Sequence, residues 1–293
     1  MGKLLPMRKF RDILVAFDGS DSSKNALRQT IRFTKKGKCG GDVMVVTAIP
    51  SYEGEIELIG MRNIKRAFRE PGEKILSEAM QIARDEGAFL PSSLEEGNIH
   101  EVIIDVATSH DVDLIVMGRR GLGNIERAFM GSITARVIGY SPIDVLVMPH
   151  DSSISFDTIL LAVDGSRYSD IAANRAISMA QLCGGEIIIL SVVDVSDEFF
   201  AQAPDAVEKM IEGARSYVDS VKEKAASAGI KAKTYVREGE THKKILSMAD
   251  ELNADTICMG SHGRTGLRRL LMGSTTEKVI GSAKCPVLVV KSN

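Results

Sequence analysis

The sequence lacks long apolar stretches, an excess of basic residues and closely spaced pairs of cysteines. Its longest apolar runs, such as residues 187–193, are far shorter than the roughly 20 residues that a bilayer requires, and the N-terminus shows no signal-type apolar core. The net charge is −2, whereas a surface for nucleic acid or anionic lipid needs a basic excess. The four cysteines form no Cys-x2-Cys pair and have no histidines at zinc spacing, which argues against a metal cluster. We therefore expect a cytoplasmic protein that binds neither nucleic acid nor membrane.

Several signatures of enzymes are also missing. There is no Gly-x4-Gly-Lys-[Ser/Thr] loop, no Gly-x-Ser-x-Gly elbow, no His-Glu-x2-His pair and no His-x-Gly-His run. Gly121 and Gly123 begin a dinucleotide fingerprint, but Glu126 stands where its third glycine is required. These absences leave no obvious catalytic group, and the site prediction includes no catalytic residue and no metal ligand.

What the sequence does contain is a glycine loop that occurs twice. The pattern Gly-x2-Gly-x9-Gly-Ser begins at Gly118 and again at Gly260, each time after a short apolar run and before a segment that can form a helix. Glycines allow a backbone to approach an anion closely, and the N-terminus of a helix offers unpaired N–H groups and a positive dipole end. Each loop is therefore typical of a phosphate-binding site.

The repeat extends over the whole chain and predicts two domains. Residues 13–20 and 159–166 are similar in sequence, and the apolar runs at 13–17, 43–49, 114–117 and 145–148 recur in the same order in the second half. A chain of 293 residues suits two domains of about 100 to 150 residues each. We place the first domain at residues 1–150 and the second at residues 151–293, with residues 149–156 as the linker.

The apolar runs predict the fold class. Runs of Val, Ile and Leu without polar alternation suit strands that are buried on both faces of a parallel sheet, and the segments between them have helical spacing. A further strand is expected at residues 231–237, and a weaker one at 88–94 because Pro91 cannot donate to a ladder. The prediction is an α/β protein with two tandem doubly wound, Rossmann- or flavodoxin-like domains, each with a five-stranded parallel sheet. We expect the domains to pair through their last strands, because exposed apolar edges favour pairing.

The Asp-Gly-Ser sequence after the first strand, the glycine loop after the fourth strand and the final Pro-Val-Leu-Val-Val segment together resemble the universal stress protein family. The resemblance covers nearly the whole chain as two family domains in tandem. It implies binding of ATP or AMP, with the phosphates in the glycine loop and the adenosine near the ends of the first and second strands. Mg²⁺ or Mn²⁺ would then be carried on the phosphates.

The resemblance assigns equivalent nucleotide-binding positions to both halves. In the second half they are Ala162, Val163, Asp164, Val192, Met259, Gly260, His262, Gly263, Gly273, Ser274, Thr275 and Thr276. In the first half they are Ala16, Phe17, Asp18, Ala48, Met117, Gly118, Arg120, Gly121, Gly131, Ser132, Ile133 and Thr134.

Some of these positions have simpler explanations or depart from the pattern. Asp18 and Asp164 also suit plain Asp-Gly turns, and Ser132 and Ser274 suit plain helix caps. In the first half Ala48 is smaller than its counterpart Val192, Phe17 is bulky, and Arg119-Arg120 replaces Ser261-His262. These departures concern the fit of adenine more than phosphate binding, because arginine favours phosphate. We expect the nucleotide-binding residues of the second half to follow the family pattern more closely than those of the first half.

Three functions remain open at this point. The preferred one is a stress-response regulator or sensor in which a bound adenine nucleotide changes a loop that a protein partner reads. The alternatives are a partner-binding module with empty clefts and a weak metal-dependent ATPase. A homodimer of the whole chain is a further option.

Overall fold

The computed structural model describes residues 10, 12–36, 41–51, 61–121, 130–263 and 272–291. Within this part the chain divides into two compact units, one with residues 10–121 and 130–152 and the other with residues 153–263 and 272–291. No described helix is long and apolar enough to cross a membrane.

The first unit is a parallel sheet with helices between its strands. Its elements in chain order are β1 (Asp12–Ala16), α1 (Asp21–Lys35), β2 (Asp42–Ile49), α2 (Met61–Asp85), β3 (Ser92–Glu96), α3 (Ile99–Ser109), β4 (Leu114–Gly118), α4 (Ser132–Tyr140) and β5 (Asp144–Met148). The spatial order is β3-β2-β1-β4-β5, and every neighbouring pair is parallel.

The second unit repeats this arrangement. Its elements are β6 (Thr158–Val163), α5 (Arg167–Cys183), β7 (Glu186–Val193), α6 (Asp197–Gln202), α7 (Pro204–Ser227), β8 (Ala232–Glu238), α8 (Thr241–Glu251), β9 (Thr256–Gly260), α9 (Ser274–Ser282) and β10 (Val287–Val290). The order β8-β7-β6-β9-β10 is again entirely parallel. The predicted fold class, two doubly wound domains each with a five-stranded parallel sheet, is confirmed.

Burial explains why the continuous apolar runs form the central strands. Leu14 and Val15 in β1 and Leu160 and Leu161 in β6 have no exposed surface, so residues that point to opposite faces of the sheet are equally buried. Helices must therefore cover both faces. The helices α1 and α5 are capped by Ser20 and Ser166, whose hydroxyls accept from backbone N–H groups three residues later.

The third strand of the first unit differs from its prediction in position. It was expected at residues 88–94 but begins at Ser92, directly after Pro91. The carbonyl of Pro91 accepts a hydrogen bond of 2.9 Å from Val45 N–H, so the proline contributes its acceptor just outside the strand. Proline has no N–H group to donate, and it is tolerated here because β3 lies at the edge of this unit's strand order.

The strand order places a binding crevice in each unit. In the first unit the chain winds outward from β1 to β3 and then returns to β4 on the other side of β1; β6 and β9 have the same relationship in the second unit. Such a switch point leaves a crevice beyond the carboxyl ends of the two strands. Asp18 follows β1 and Asp164 follows β6, while Gly118 and Gly260 end β4 and β9.

Candidate functional site

A cavity of about 400 Å³ lies at the switch point of the second unit. Its lining includes all twelve residues that the sequence predicts for the second half: Ala162, Val163, Asp164, Val192, Met259, Gly260, His262, Gly263, Gly273, Ser274, Thr275 and Thr276. They come from β6, β7, β9, the loop after β9 and the start of α9. The volume lies within the usual range for small-molecule sites.

The carboxylate of Asp164 has a structural role and also faces the glycine loop. Its Oδ1 accepts a hydrogen bond of 2.9 Å from Ser166 N–H, which closes the turn before α5. A Cβ on Gly263 would lie 2.7 Å from Oδ2, so only glycine lets the loop approach the acid this closely. The turn explanation for Asp164 is therefore correct for one oxygen, while the other lies against the loop.

Two hydrogen bonds join the loop after β9 to the start of α9. Gly273 N–H donates to the carbonyl of Ser261 at 2.9 Å, and the hydroxyl of Thr276 donates to the carbonyl of Gly260 at 3.1 Å. Thr276 is 2% exposed, so this second bond is shielded from water. The described start of the loop is thus held against the first turn of α9.

The N-terminus of α9 is open toward the cavity. Gly273 is the residue before the first turn and, having no side chain, makes no capping hydrogen bond; Ser274, Thr275 and Thr276 form the first turn and line the cavity. The amides of a first turn have no partners within the helix, so they and the helix dipole favour an anion. The alternative that Ser274 and Ser132 are plain helix caps is wrong, because Gly273 and Gly131 hold the cap positions.

The first unit repeats the hydrogen bonds of this loop. Gly131 N–H donates to Arg119 O at 2.9 Å, and Thr134 Oγ1 donates to Gly118 O at 3.2 Å. A Cβ on Gly121 would lie 2.5 Å from Asp18 Oδ2, which matches the relationship of Gly263 to Asp164. The described ends of the two loops therefore have the same local structure.

Other predicted residues of the first half lie on the strands beside this loop. Ala16 is paired in register with Val46 on one side and Met117 on the other, and Ala48 follows two residues beyond Val46. Phe17 is 2% exposed, so its ring is in the core. Ser132 and Ile133 open α4 as Ser274 and Thr275 open α9.

The residues beside the two loops differ in charge and in packing. In the second unit the His262 ring lies 5.3 Å from the Tyr168 ring, centroid to centroid. In the first unit the carbonyl of Arg120 accepts from the hydroxyls of Ser20, at 3.0 Å, and Ser22, at 2.5 Å. Partial burial and the neighbouring Arg120 lower the pKa of Arg119. The first loop therefore concentrates positive charge that the described part of the second loop does not have.

The structure adds cavity residues that the sequence prediction missed. They are Ser169, Leu190, Ser191, Val193, Asp194, Met210, Ala214, Thr241 and Ile245. Met210 and Ala214 are one turn apart on α7, and Ala214 packs in an apolar cluster with Val193 and Val207. Their helical spacing was visible in the sequence, but nothing local showed that this helix covers the crevice.

A polar network lies behind the Asp164 turn. Ser169 Oγ lies 3.3 Å from the Tyr217 hydroxyl, which donates to Asp170 Oδ1 at 2.7 Å. Partial burial raises the pKa of Tyr217 to about 12. The network joins α5 to α7 and so positions one wall of the cavity.

Among the described residues, no group of three or more His, Cys, Asp or Glu side chains could hold a metal ion.

Comparison with known proteins finds the same unit twice. The family model described as "Universal stress protein family" matches residues 9–149 and 155–291. Universal stress protein MJ0531 of Methanocaldococcus jannaschii is 38% identical over 140 residues, which cover 46% of this chain and 82% of that protein. A universal stress protein of Mycolicibacterium smegmatis is 25% identical over 290 residues, covering 95% of this chain and 96% of that protein. The crystal structure of a universal stress protein from Archaeoglobus fulgidus has a TM-score of 0.74 and 26% identity, with 97% of each chain covered.

Proposed function

Because the chain belongs to the universal stress protein family, we propose that it binds an adenine nucleotide, ATP or AMP, and acts as a stress-response regulator or sensor. The observation that carries this proposal is the cavity of the second unit. It combines an open helix N-terminus, a glycine loop, a carboxylate and an apolar wall within about 400 Å³. A nucleotide has the matching parts, namely an anionic end, a polar sugar and a flat apolar base.

The phosphates would lie at the start of α9. Ser274, Thr275 and Thr276 form the first turn of α9 and line this part of the cavity, and their cap residue Gly273 has no side chain. Their backbone N–H groups would bind the phosphate oxygens, and the hydroxyls of Ser274 and Thr275 would add further donors. Gly263 and Gly273 let the backbone approach the phosphate oxygens closely. Mg²⁺ or Mn²⁺, where present, would be held mainly by the phosphates themselves.

The adenosine would lie along the other walls. Val192 on β7 and Ala162 on β6 offer an apolar floor, and Ile245 and Met210 add apolar side chains from α8 and α7. Asp164 supplies an acceptor between this floor and the loop, where it could accept from a sugar hydroxyl. Pockets that combine apolar walls with a few placed polar groups are typical of cofactor sites.

We propose that the first unit has a nucleotide site of its own, built on the same loop. Its residues are Ala16, Phe17, Asp18, Ala48, Met117, Gly118, Arg120, Gly121, Gly131, Ser132, Ile133 and Thr134. Arg119 and Arg120 favour phosphate there, while the smaller Ala48 leaves a poorer wall for adenine. The site of the second unit is therefore expected to bind adenine more tightly than the site of the first unit.

A regulatory role suits the chemistry of the cavity better than catalysis. The described residues that line it include no lysine or arginine, and phosphoryl transfer depends on cations that stabilise the developing charge. The bound nucleotide would change the loop after β9, and a partner protein would bind that loop. Slow metal-dependent ATP hydrolysis and a partner-binding module with empty clefts are the competing functions.

The experiment is calorimetric titration of the purified chain with ATP and with AMP, together with mass spectrometry of nucleotide released from fresh protein. We expect saturable binding and a co-purified adenine nucleotide. Undetectable binding of both nucleotides at millimolar concentration would overturn the proposal in favour of the partner-binding module. Phosphate release that requires a metal and disappears in Gly273→Val would replace the sensor by the ATPase.

A further inference from the structure

Asp194 is an acid of the second cavity that the glycine-loop pattern does not include. It directly follows β7 and lines the cavity beyond Val192. Residues two apart on an extended chain point to the same side, and they are about 6.6 Å apart. Asp194 therefore continues the wall that begins at Val192, at a different strand end from Asp164.

The carboxylate of Asp194 is held in place by the start of α8. The backbone N–H and the hydroxyl of Thr241 both donate to Oδ2, each at 3.0 Å. The cap residue of this helix, Glu240, makes no side-chain capping bond, so Asp194 takes over that role from a neighbouring strand end. Both of these hydrogen bonds end on the same oxygen. Oδ1 is then available as an acceptor in a carboxylate whose position is already set.

We propose that Asp194 selects the nucleoside end of the ligand at the second site, by accepting a hydrogen bond from a ribose hydroxyl or from the exocyclic amine of the base. This inference rests on the proposed nucleotide function. An acid at the end of the second strand of a doubly wound sheet is well placed for this task, since dinucleotide-binding folds use one for a ribose hydroxyl. The negative charge also repels phosphate, so it orients the ligand with its phosphates toward α9.

The first unit lacks this residue and provides an internal contrast. Pro50 follows β2 as Asp194 follows β7, and proline has no side-chain acceptor. Selection by a carboxylate at this position is thus a property of the second site only. The two sites would then differ in the ligands that they prefer, although the described ends of their glycine loops are alike.

The test compares four ligands at the second site, with the first site disabled by Gly131→Val. ATP carries all the donors, 2′-deoxy-ATP and 3′-deoxy-ATP each lack one ribose hydroxyl, and inosine triphosphate has a carbonyl in place of the amine. Asp194→Asn keeps an acceptor for Thr241 but removes the charge. Glu238→Gln is the matched control, because it removes the same charge from an exposed acid at the end of β8 that does not line the cavity.

We expect the parent to bind ATP about tenfold more tightly than at least one analogue, which identifies the donor, since a hydrogen bond to a charged group is worth about this ratio. In Asp194→Asn this difference should fall below about threefold, while Glu238→Gln should retain it. Three results would overturn the inference and leave the nucleotide function standing. The parent could bind all four ligands with equal affinity, Asp194→Asn could keep the full preference for ATP over the analogue, or Glu238→Gln could lose that preference to the same extent as Asp194→Asn. Failure of the parent to bind ATP would overturn the assignment of the second site and this inference with it.

Discussion

Asp164 and Gly263 lie so close together that a Cβ on the glycine would be 2.7 Å from Oδ2 of the carboxylate, and Asp18 and Gly121 repeat this relationship at 2.5 Å. An acid after the first strand and a glycine after the fourth are thus in direct contact in both units. The contact joins the two strand ends that border each crevice, and it makes the acid and the loop parts of one site.

Replacement of Asp164 should separate its two roles. We expect Asp164→Ala to weaken ATP binding at the second site by roughly ten- to a hundredfold, because a charge-assisted hydrogen bond is worth about 1.5 to 3 kcal/mol. Asp164→Asn retains an oxygen for Ser166 N–H and therefore keeps the turn. Calorimetric affinities of the two variants are the measurement. Wild-type affinity in Asp164→Asn would assign the acid to the turn alone.

Valine at the cap glycines should disable one site at a time. A Cβ on Gly273 or Gly131 would meet its nearest neighbours at 3.6 and 3.5 Å, which are ordinary contacts, and both residues have extended backbone that valine accepts. We expect Gly273→Val to abolish binding at the second site and Gly131→Val at the first, because the added methyl groups lie where phosphate approaches. Each variant should bind half as much nucleotide as wild type at saturation, which calorimetric stoichiometry measures.

A control for these valine variants is Gly213→Ala on α7. A Cβ there meets nothing within 4 Å. The stoichiometry of this variant should be unchanged, and its helix should gain roughly 0.5–1 kcal/mol in the free energy of unfolding. Full stoichiometry in both valine variants would show that the cap glycines do not border the ligand.

Salt should weaken binding at the first site more than at the second. Partial burial and the neighbouring Arg120 lower the pKa of Arg119, so two guanidinium groups lie side by side at the start of this loop, where they would attract an anion. Arg119→Ser combined with Arg120→His gives the first loop the residues of the second. In the Gly273→Val background we expect this change to reduce the salt dependence of the ATP affinity. An equal salt dependence before and after the exchange would exclude the arginines from phosphate binding.

The stability of the protein should depend on Tyr217 at alkaline pH. Burial raises its pKa to about 12, from about 10 in an unfolded chain. The folded state therefore favours the protonated phenol, and this contribution is complete below about pH 10 and is lost as pH rises toward about pH 12. Tyr217→Phe removes both the hydrogen bond to Asp170 and this titration.

The corresponding measurement is urea unfolding of both proteins at about pH 8 and about pH 11. At the lower pH the phenylalanine variant should be less stable by about 1 kcal/mol, the usual value of one hydrogen bond. The difference should shrink at the higher pH. A difference that is constant across the two conditions would show that the phenol titrates normally.

Much of the fold could be predicted because its signals are local. Central strands such as β1 and β6 are continuous apolar runs, and only a strand buried on both faces requires such a run. β3 is an edge strand with the sequence Ser-Ser-Leu-Glu-Glu, which has no such signal, so its start was misplaced by four residues. The pairing of the two units through their last strands stays a prediction, as do the domain boundary near residue 150 and a cytoplasmic location.

The candidate site shows the same division. Asp164, Gly263 and Gly273 were predictable because each lies next to a strand end or a helix start, where spacing along the chain is informative. Met210 and Thr241 were not, because they reach the cavity from helices whose packing is decided by contacts with β7 and β8. Asp194 lies between these cases, since an acid after the second apolar run was visible but its hydrogen bonds to Thr241 were not.

The amino-acid sequence by itself determined that there are two repeated units with parallel sheets, and that a glycine loop precedes a helix in each, because these properties depend on residues close together in the chain. Only the tertiary structure decided which distant side chains complete the crevice, such as Met210 from α7 and the carboxylate of Asp194 held by Thr241. Those features depend on the packing of helices against a sheet, where long-range burial and hydrogen bonding outweigh local preference.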